Sequence, residues 1–253
     1  MILLLDIGNT HTHVGLADGR RVLRQINLPT RAWTSGSAKT SLAGLVGAKK
    51  IEGAVLCSVV PRATPLVRNA IRQRWKLRAL ELTPKTLRGL GVDYPHPDTI
   101  GPDRLANAVA ARHHFGAPVV VDFGTAVTFD VVNRAGHYAG GIIAPGLAAM
   151  TDYLHEKTAL LPKIRIREVT AVIGKNTEQA MLVGAVHGYR GLVRELIAEL
   201  KRELRVKRLP VVATGGYARL IASKLPEISA VEPNLTLEGL RLTWTAAQAH
   251  GHL

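Results

Sequence analysis

Two short stretches of this 253-residue chain place a carboxylate, a glycine and a hydroxyl side chain at the end of an apolar run. The first is Asp6-Ile7-Gly8-Asn9-Thr10 after residues 1–5; the second is Asp122-Phe123-Gly124-Thr125-Ala126 after residues 119–121. Glycine lets backbone approach a phosphate with no Cβ in the way. Neighbouring N–H groups can then cradle the anion, and the carboxylate is a hard oxygen ligand suited to Mg²⁺. Either copy alone is also explained by an Asx-type turn after a strand. The recurrence, with the aspartates 116 residues apart, points to two similar halves gripping one nucleotide. Neither copy ends in Gly-Lys-Ser/Thr, so neither is a Walker loop. The chemistry implied is phosphoryl transfer.

A second constellation is Gly101-Pro102-Asp103-Arg104, which opens a helix with Leu105, Ala108 and Val109 on its apolar face. Pro102 is a start signal, and Asp103 falls in the first turn, where the helix dipole favours the anion. One reading is an ordinary helix start. The other is a general base accepting a proton from an alcohol, with Arg104 holding an anionic substrate group. Gly140-Gly141-Ile142-Ile143-Ala144-Pro145-Gly146 and Thr214-Gly215-Gly216 are close-approach turns, the second suited to lie under a nucleoside. His11 and His13 have strand spacing but no convergent third ligand, so zinc is not expected. His113, His114, His250 and His252 read as surface residues, and Cys57 as a small buried hydrophobe.

The elements that position these residues follow from patterning. Strands are expected over 2–6, 12–17 and 21–28, with Asp18-Gly19 as a tight hairpin turn. A helix over 38–46, a strand over 53–59, a helix over 65–75 and a strand over 77–82 follow. The second half repeats this order, with strands over 118–122, 128–133 and 137–143, helices over 146–158 and 177–204, and a strand over 209–213. The proline-rich stretch 94–102 is a loop carrying part of the site. Such a repeat implies a duplicated α/β fold with a cleft between halves spanning 1–115 and 116–253.

Composition excludes several classes. No apolar run approaches the roughly 18 residues of a membrane span, and the five apolar residues before Asp6 read as a strand, not a signal peptide. A single cysteine rules out an internal disulfide and suits a reducing cytosol. The net charge of +14 raises the prospect of an anionic partner. The basic residues are dispersed, however, and their densest groups, 62–76 and 194–208, read as solvated helix faces. With only 4% aromatic residues to stack bases, nucleic acid is not expected as a partner.

Taken together, the chain closely resembles the type III pantothenate kinases of the acetate/sugar kinase–Hsp70–actin superfamily. The resemblance rests on Asp6-x-Gly-Asn-Thr, Ser58-Val-Val-Pro61, Tyr94-x-x-Pro97, Gly101-x-Asp103-Arg104 and Asp122-x-Gly-Thr-Ala126. It continues through Gly140-Gly141-x-Ile-x-Pro-Gly146, Leu160-Leu161-Pro162, Gly174-x-Asn-Thr177 and Thr214-Gly-Gly216. It implies duplicated ribonuclease H-like (actin-like ATPase) halves and ATP-dependent phosphorylation of pantothenate, the first step toward coenzyme A, in the cytoplasm. It also implies roles. Asp6, Ile7, Gly8, Asn9, Thr10, His11, Thr12 and His13 would form the first phosphate loop, with Asp6 near Mg²⁺. Thr125 would contact ATP phosphates, and Asp122 would ligate a monovalent cation, K⁺ or NH₄⁺. Tyr94, Gly101, Pro102, Asp103, Arg104 and Thr177 would line the pantothenate pocket, with Asp103 accepting the hydroxyl proton. Members are homodimers, so Thr177 could act across the interface. Val183-Gly184 departs from the Ser-Gly pair of many relatives. Alternatives on the same scaffold are a non-catalytic regulator like the Bvg accessory factors, or a kinase for another small hydroxy acid. The resemblance does not account for the basic charge.

Overall fold

The computed structural model describes residues 1–249; His250 and His252 lie outside the described residues. The chain forms two compact units, one gathering Met1–Gly116, Val132–Gly140 and the chain from Asn234, the other Ala117–Val131 and Gly141–Pro233. This differs from a simple division after residue 115, because the C-terminal helix packs with the first unit.

The first unit is built on a five-stranded sheet. β1 (Ile2–Ile7) pairs antiparallel with β2 (His11–Ala17), which pairs antiparallel with β3 (Val22–Pro29). On its other side β1 runs parallel to β4 (Gly53–Ser58), and β4 to β5 (Leu80–Glu81), giving the order β3-β2-β1-β4-β5. Side chains alternate along β1, and both faces are covered. Leu3, Leu5 and Ile7 pack under α1 (Ala32–Ser35), α2 (Ser37–Val46) and α3 (Thr64–Trp75), with Trp33, Leu42, Val67 and Ile71 filling that layer. Ile2 and Leu4 face α4 (Pro102–Phe115) and the C-terminal helix, through Leu105, Val109, Leu240 and Trp244. Asp6, two residues beyond Leu4, belongs to this second face. A short β6 (Gly91–Val92) pairs with His137 and Tyr138.

The second unit repeats the arrangement. β7 (Val119–Phe123) pairs antiparallel with β8 (Ala126–Val132), and β9 (His137–Pro145) lies beside β8. β7 runs parallel to β10 (Val211–Thr214), and β10 to β11 (Ala230–Val231). Within this six-stranded sheet the run β11-β10-β7-β8-β9 matches the order β5-β4-β1-β2-β3, and β7 pairs antiparallel with β8 and parallel with β10 as β1 does with β2 and β4. The duplication expected from the two Asp-x-Gly stretches is present in the topology. α5 (Leu147–Lys157), α6 (Thr177–Val183), α7 (Tyr189–Glu203) and α8 (Ala218–Ala222) complete the unit.

Four local expectations differ. The helix expected over 177–204 is interrupted by a π turn, Gly184–Gly188, directly after Val183. The strand expected over 77–82 shrinks to two residues. The Asp18-Gly19 turn is a longer loop, closed by Asp18 Oδ1 accepting the N–H groups of Arg20 and Arg21 at 2.7 and 2.8 Å. Sequence patterning also left out α9 (Leu235–Ala249), whose Thr236 Oγ1 donates to Asn107 Oδ1 of α4 at 2.8 Å.

Candidate active site

In the first unit, the loop after β1 is tight: the Gly8 N–H donates to the His11 carbonyl at 3.0 Å. Thr30 braces it, donating its hydroxyl to Gly8 O at 2.6 Å and its N–H to Thr10 O at 3.0 Å. Thr12 is fully buried, lying 3.1 Å from the Thr30 hydroxyl and accepting the Trp33 indole N–H at 3.1 Å. His13 Nδ1 lies 2.7 Å from Asn27 Oδ1. Of the expected phosphate loop, Asn9, Thr10 and His11 are thus displayed, while Thr12 turns inward as the loop's foundation. The His11 and His13 rings lie 6.5 Å apart, and among the described residues no cluster of three or more His, Cys, Asp or Glu could hold a metal alone.

Asp6 pairs in register with Cys57 of β4, and the Cys57 thiol donates to Asp6 Oδ1 at 3.4 Å. Burial pushes the thiol pKa far up, and the negative charges of Asp6 and Asp103 push it further. Two carboxylates from elements far apart in sequence therefore act on one sulfur. Asp103 sits in the first turn of α4 with Oδ1 accepting the Arg104 N–H at 2.9 Å. A Cβ on residue 101 would stand 2.5 Å from that oxygen, so glycine leaves the carboxylate room to fold back over the helix start. Helix-dipole reasoning predicts a stabilised anion there. Instead, burial holds the Asp103 carboxyl above the usual aspartate range, outweighing the Arg104 N–H and guanidinium, which pull it down.

Beside Asp103, the Arg104 guanidinium lies 5.8 Å from the centre of the buried Tyr138 ring, and Tyr138 meets Tyr94 edge-on at 6.1 Å. Tyr94, Asp103 and Arg104 are thus joined through Tyr138, which sequence reasoning passed over. Its signal was a tyrosine just ahead of the Gly140-Gly141 pair. Cys57 was read as buried, which it is; its contact with Asp6 needed the strand register.

In the second unit, Asp122 occupies the place on β7 that Asp6 occupies on β1, flanked by Thr128 of β8 and Thr214 of β10. Gly215 bends over it in the left-handed region (φ +90°); a Cβ there would lie 2.5 Å from Asp122 Oδ1 and 2.7 Å from the Phe123 nitrogen. Gly124 and Thr125 are exposed beyond β7, and the Thr125 carbonyl rests against Gly146 at the start of α5. Thr177 is the exposed first residue of α6, whose Asn176 cap accepts the Gln179 N–H at 2.9 Å.

Comparison with known proteins agrees with this arrangement. A sequence model of the type III pantothenate kinase family matches residues 2–199. The type III pantothenate kinase of Akkermansia muciniphila is 48% identical, the alignment covering 95% of this chain and 96% of that one. The Geobacter sulfurreducens enzyme of the same name is 40% identical over 96% of this chain and 98% of its own. Among solved structures, a Campylobacter jejuni protein assigned to the Baf family of transcriptional activators superposes with a TM-score of 0.62 at 18% identity, covering 99% and 100% of the two chains. A Sinorhizobium meliloti protein assigned as a 2-dehydro-3-deoxygalactonokinase gives 0.54 at 14% identity, covering both chains fully. These two likenesses concern the fold; the sequence matches, which run nearly end to end, establish that the chain belongs to the type III pantothenate kinase family.

Proposed function

We propose that this protein is an ATP-dependent kinase that phosphorylates the primary alcohol of pantothenate, yielding 4′-phosphopantothenate and ADP, the first step of coenzyme A synthesis. Family membership supports the reaction, and the single structural observation that carries it is Asp103. Its carboxylate is partly buried, folded over Gly101, and held above the usual aspartate range by burial, which makes it a better proton acceptor. In this reading Asp103 accepts the hydroxyl proton as the alcohol oxygen bonds to the γ-phosphorus and the bond to ADP breaks. Arg104 steadies the pantothenate carboxylate, with Tyr94 beside it; Thr177 of the second unit is also assigned to pantothenate.

The donor set fits the ions such a reaction uses. Mg²⁺ is commonly held by one or two carboxylates plus substrate phosphates, which suits Asp6 at the head of a tight, displayed loop. When bound, it would neutralise charge on the phosphates. Asp122, under Gly215, is the group we assign to a monovalent cation, K⁺ or NH₄⁺, and Thr125 beyond it to the phosphates. Positioning and charge neutralisation are most of what phosphoryl transfer asks of a protein.

We also assign the protein a homodimeric state. Ile143, Tyr153 and Leu154 are exposed on β9 and α5 of the second unit, an apolar group that a second copy could cover. No helix among the described residues is long and apolar enough to cross a membrane; a cytoplasmic location belongs to the proposal.

The test is ADP release from purified protein with ATP, Mg²⁺ and pantothenate, in K⁺ and then in Na⁺ as the sole monovalent ion. K⁺-dependent turnover that Asp122→Ala makes indifferent to the cation is expected. Folded protein inert in both salts would shift weight to another hydroxy acid or to a non-catalytic regulator.

A further inference from the structure

Residues 31–90 carry twelve Lys or Arg against two Glu and no Asp, so ten of the chain's fourteen excess positive charges lie in this stretch. In sequence these charges look dispersed. In the structure the segment supplies α1, α2 and α3, which pack together on one face of the first sheet, α1 touching both of the others. Their apolar sides are spent on that core. Among their neighbours, Lys39, Lys49, Arg62, Arg72, Arg74 and Lys76 are all exposed. Neither α2 nor α3 contains an acidic residue.

The two acids of the segment are already engaged: Glu52 with the N-terminal ammonium and Glu81 with Arg68, each at 3.2 Å. Those six cations have no carboxylate partner among the described residues. Helix α7 shows the contrary pattern, with acids interleaved among its cations. On α7, Arg194 pairs with Glu227, and Arg202 with Glu195 and Glu199. Unpaired cations also occur in other segments, but the excess of base over acid is concentrated in this one. The layer it forms is also the wrong one for the phosphotransfer site, since Asp6, Cys57 and Asp103 belong to the opposite face of the sheet. The proposed phosphotransfer at Asp6 and Asp103 therefore does not account for this charge.

We infer that the outer face of the α1–α2–α3 layer is a docking surface for a nucleic-acid duplex, held through its phosphates without reading its bases. An unneutralised cationic face attracts a polyanion and gains from counterion release when one binds. Arginine predominates on α3, and its planar fork matches phosphate oxygens. The layer offers no stacking platform for single strands: Trp33 is buried, and Trp75 is half-buried, with the Arg74 guanidinium 5.8 Å from its ring. A membrane surface fits less well, because Val67, Ala70 and Ile71, the apolar stripe that α3 would insert, are in the core.

The inference does not rest on the kinase reading, and kinase turnover serves as its folding control. A fluorescently labelled 20-base-pair duplex is titrated with full-length protein by anisotropy across salt concentrations. Wild type is expected to bind with a log–log salt slope of about −4, corresponding to roughly four or five phosphates. Lys39→Glu with Arg72→Glu should weaken binding at least ~10-fold and flatten the slope by about 2. Lys207→Glu with Arg208→Glu, the same charge change on exposed residues of the second unit, should leave affinity within about 2-fold. If turnover shows that the glutamate pair does not fold, Lys39→Gln with Arg72→Gln repeats the comparison. Equal losses from both pairs would reduce the effect to net charge and overturn the proposal. So would binding to phosphatidylserine vesicles without binding to the duplex.

Discussion

The Cys57 thiol hydrogen bonds to Asp6 across paired strands, its sulfur 3.4 Å from Oδ1, and so touches the carboxylate assigned to the divalent ion. Burial and two nearby anions disfavour its thiolate. Native protein at pH 8 should therefore resist a thiol reagent such as dithiobisnitrobenzoate and react fully only once unfolded. Cys57→Ser keeps a donor for Asp6 and Cys57→Val does not. The valine variant should need about 3–10-fold more Mg²⁺ for half-maximal turnover, the serine variant little more than wild type. The reverse ranking would reduce Cys57 to a space-filling side chain.

Asp103→Asn should lower turnover by roughly 10²–10⁴-fold, as expected for loss of a general base. The same change should make the protein more stable at pH 7. An aspartate raised in the folded state contributes stability below its unfolded value of 3.8, and that contribution is lost as pH rises through the folded value. At neutral pH the buried charge is a burden that asparagine removes. Melting temperatures across pH test this: the advantage of the variant should fade as pH falls to the unfolded value. An advantage independent of pH would mean that the charge is not its source.

Two glycine substitutions should separate activity from stability. At residue 101 a Cβ clashes with the far end of the Asp103 side chain, which can swing aside, and merely touches the Arg104 stem. Gly101→Ala should fold nearly normally yet lose most of its turnover. At residue 215 the Cβ meets Phe123 backbone as well as Asp122, from a left-handed conformation. Gly215→Ala should cost about 2–4 kcal/mol of stability, read by denaturant unfolding. Similar stability for the two variants would contradict the distinction.

The loop between α5 and α6 is anchored by an ion pair to a buried arginine. Arg190, nearly fully buried on α7, donates to both oxygens of Glu168 at 3.0 and 2.7 Å, and to the Leu220 carbonyl at 2.7 Å. The Arg190 guanidinium holds the Glu168 carboxyl below the usual glutamate value of 4.5. A depressed carboxyl contributes stability above its unfolded value and loses it as pH falls through the folded one. Glu168→Gln should thus melt below wild type at pH 7, with the two curves converging once pH drops well under 4.5. Curves that stay parallel would show that the pair contributes nothing through its charge.

The parts legible in sequence were those set by local pattern. The strand–glycine loops at Asp6 and Asp122 announced the duplication because each apolar run ends in a chemically distinctive residue. Asp103 was visible through Pro102 and helix-start signals. What sequence could not show depends on register and packing. Cys57 reaches Asp6 only because β4 runs parallel to β1 in that register, and Tyr138 reaches Arg104 only because β9 follows the turn at Gly136. The pKa of Asp103 went against the local rule, since desolvation depends on the whole surround and not on helix position. The dispersed basic residues became one face only when α2 and α3 were seen on the same side of the sheet.

The course of the chain through its two units has a consequence for synthesis. Helix α9 belongs to the first unit, its Leu240 and Trp244 lying in the same core as Ile2 and Leu4, yet it follows the whole second unit in the chain. On the ribosome, every residue of the second unit has emerged before the first can close its core. The unit whose sheet is made before the second unit is thus completed after it, and a chain lacking α9 leaves α4 alone of the two helices to cover the Ile2 and Leu4 face.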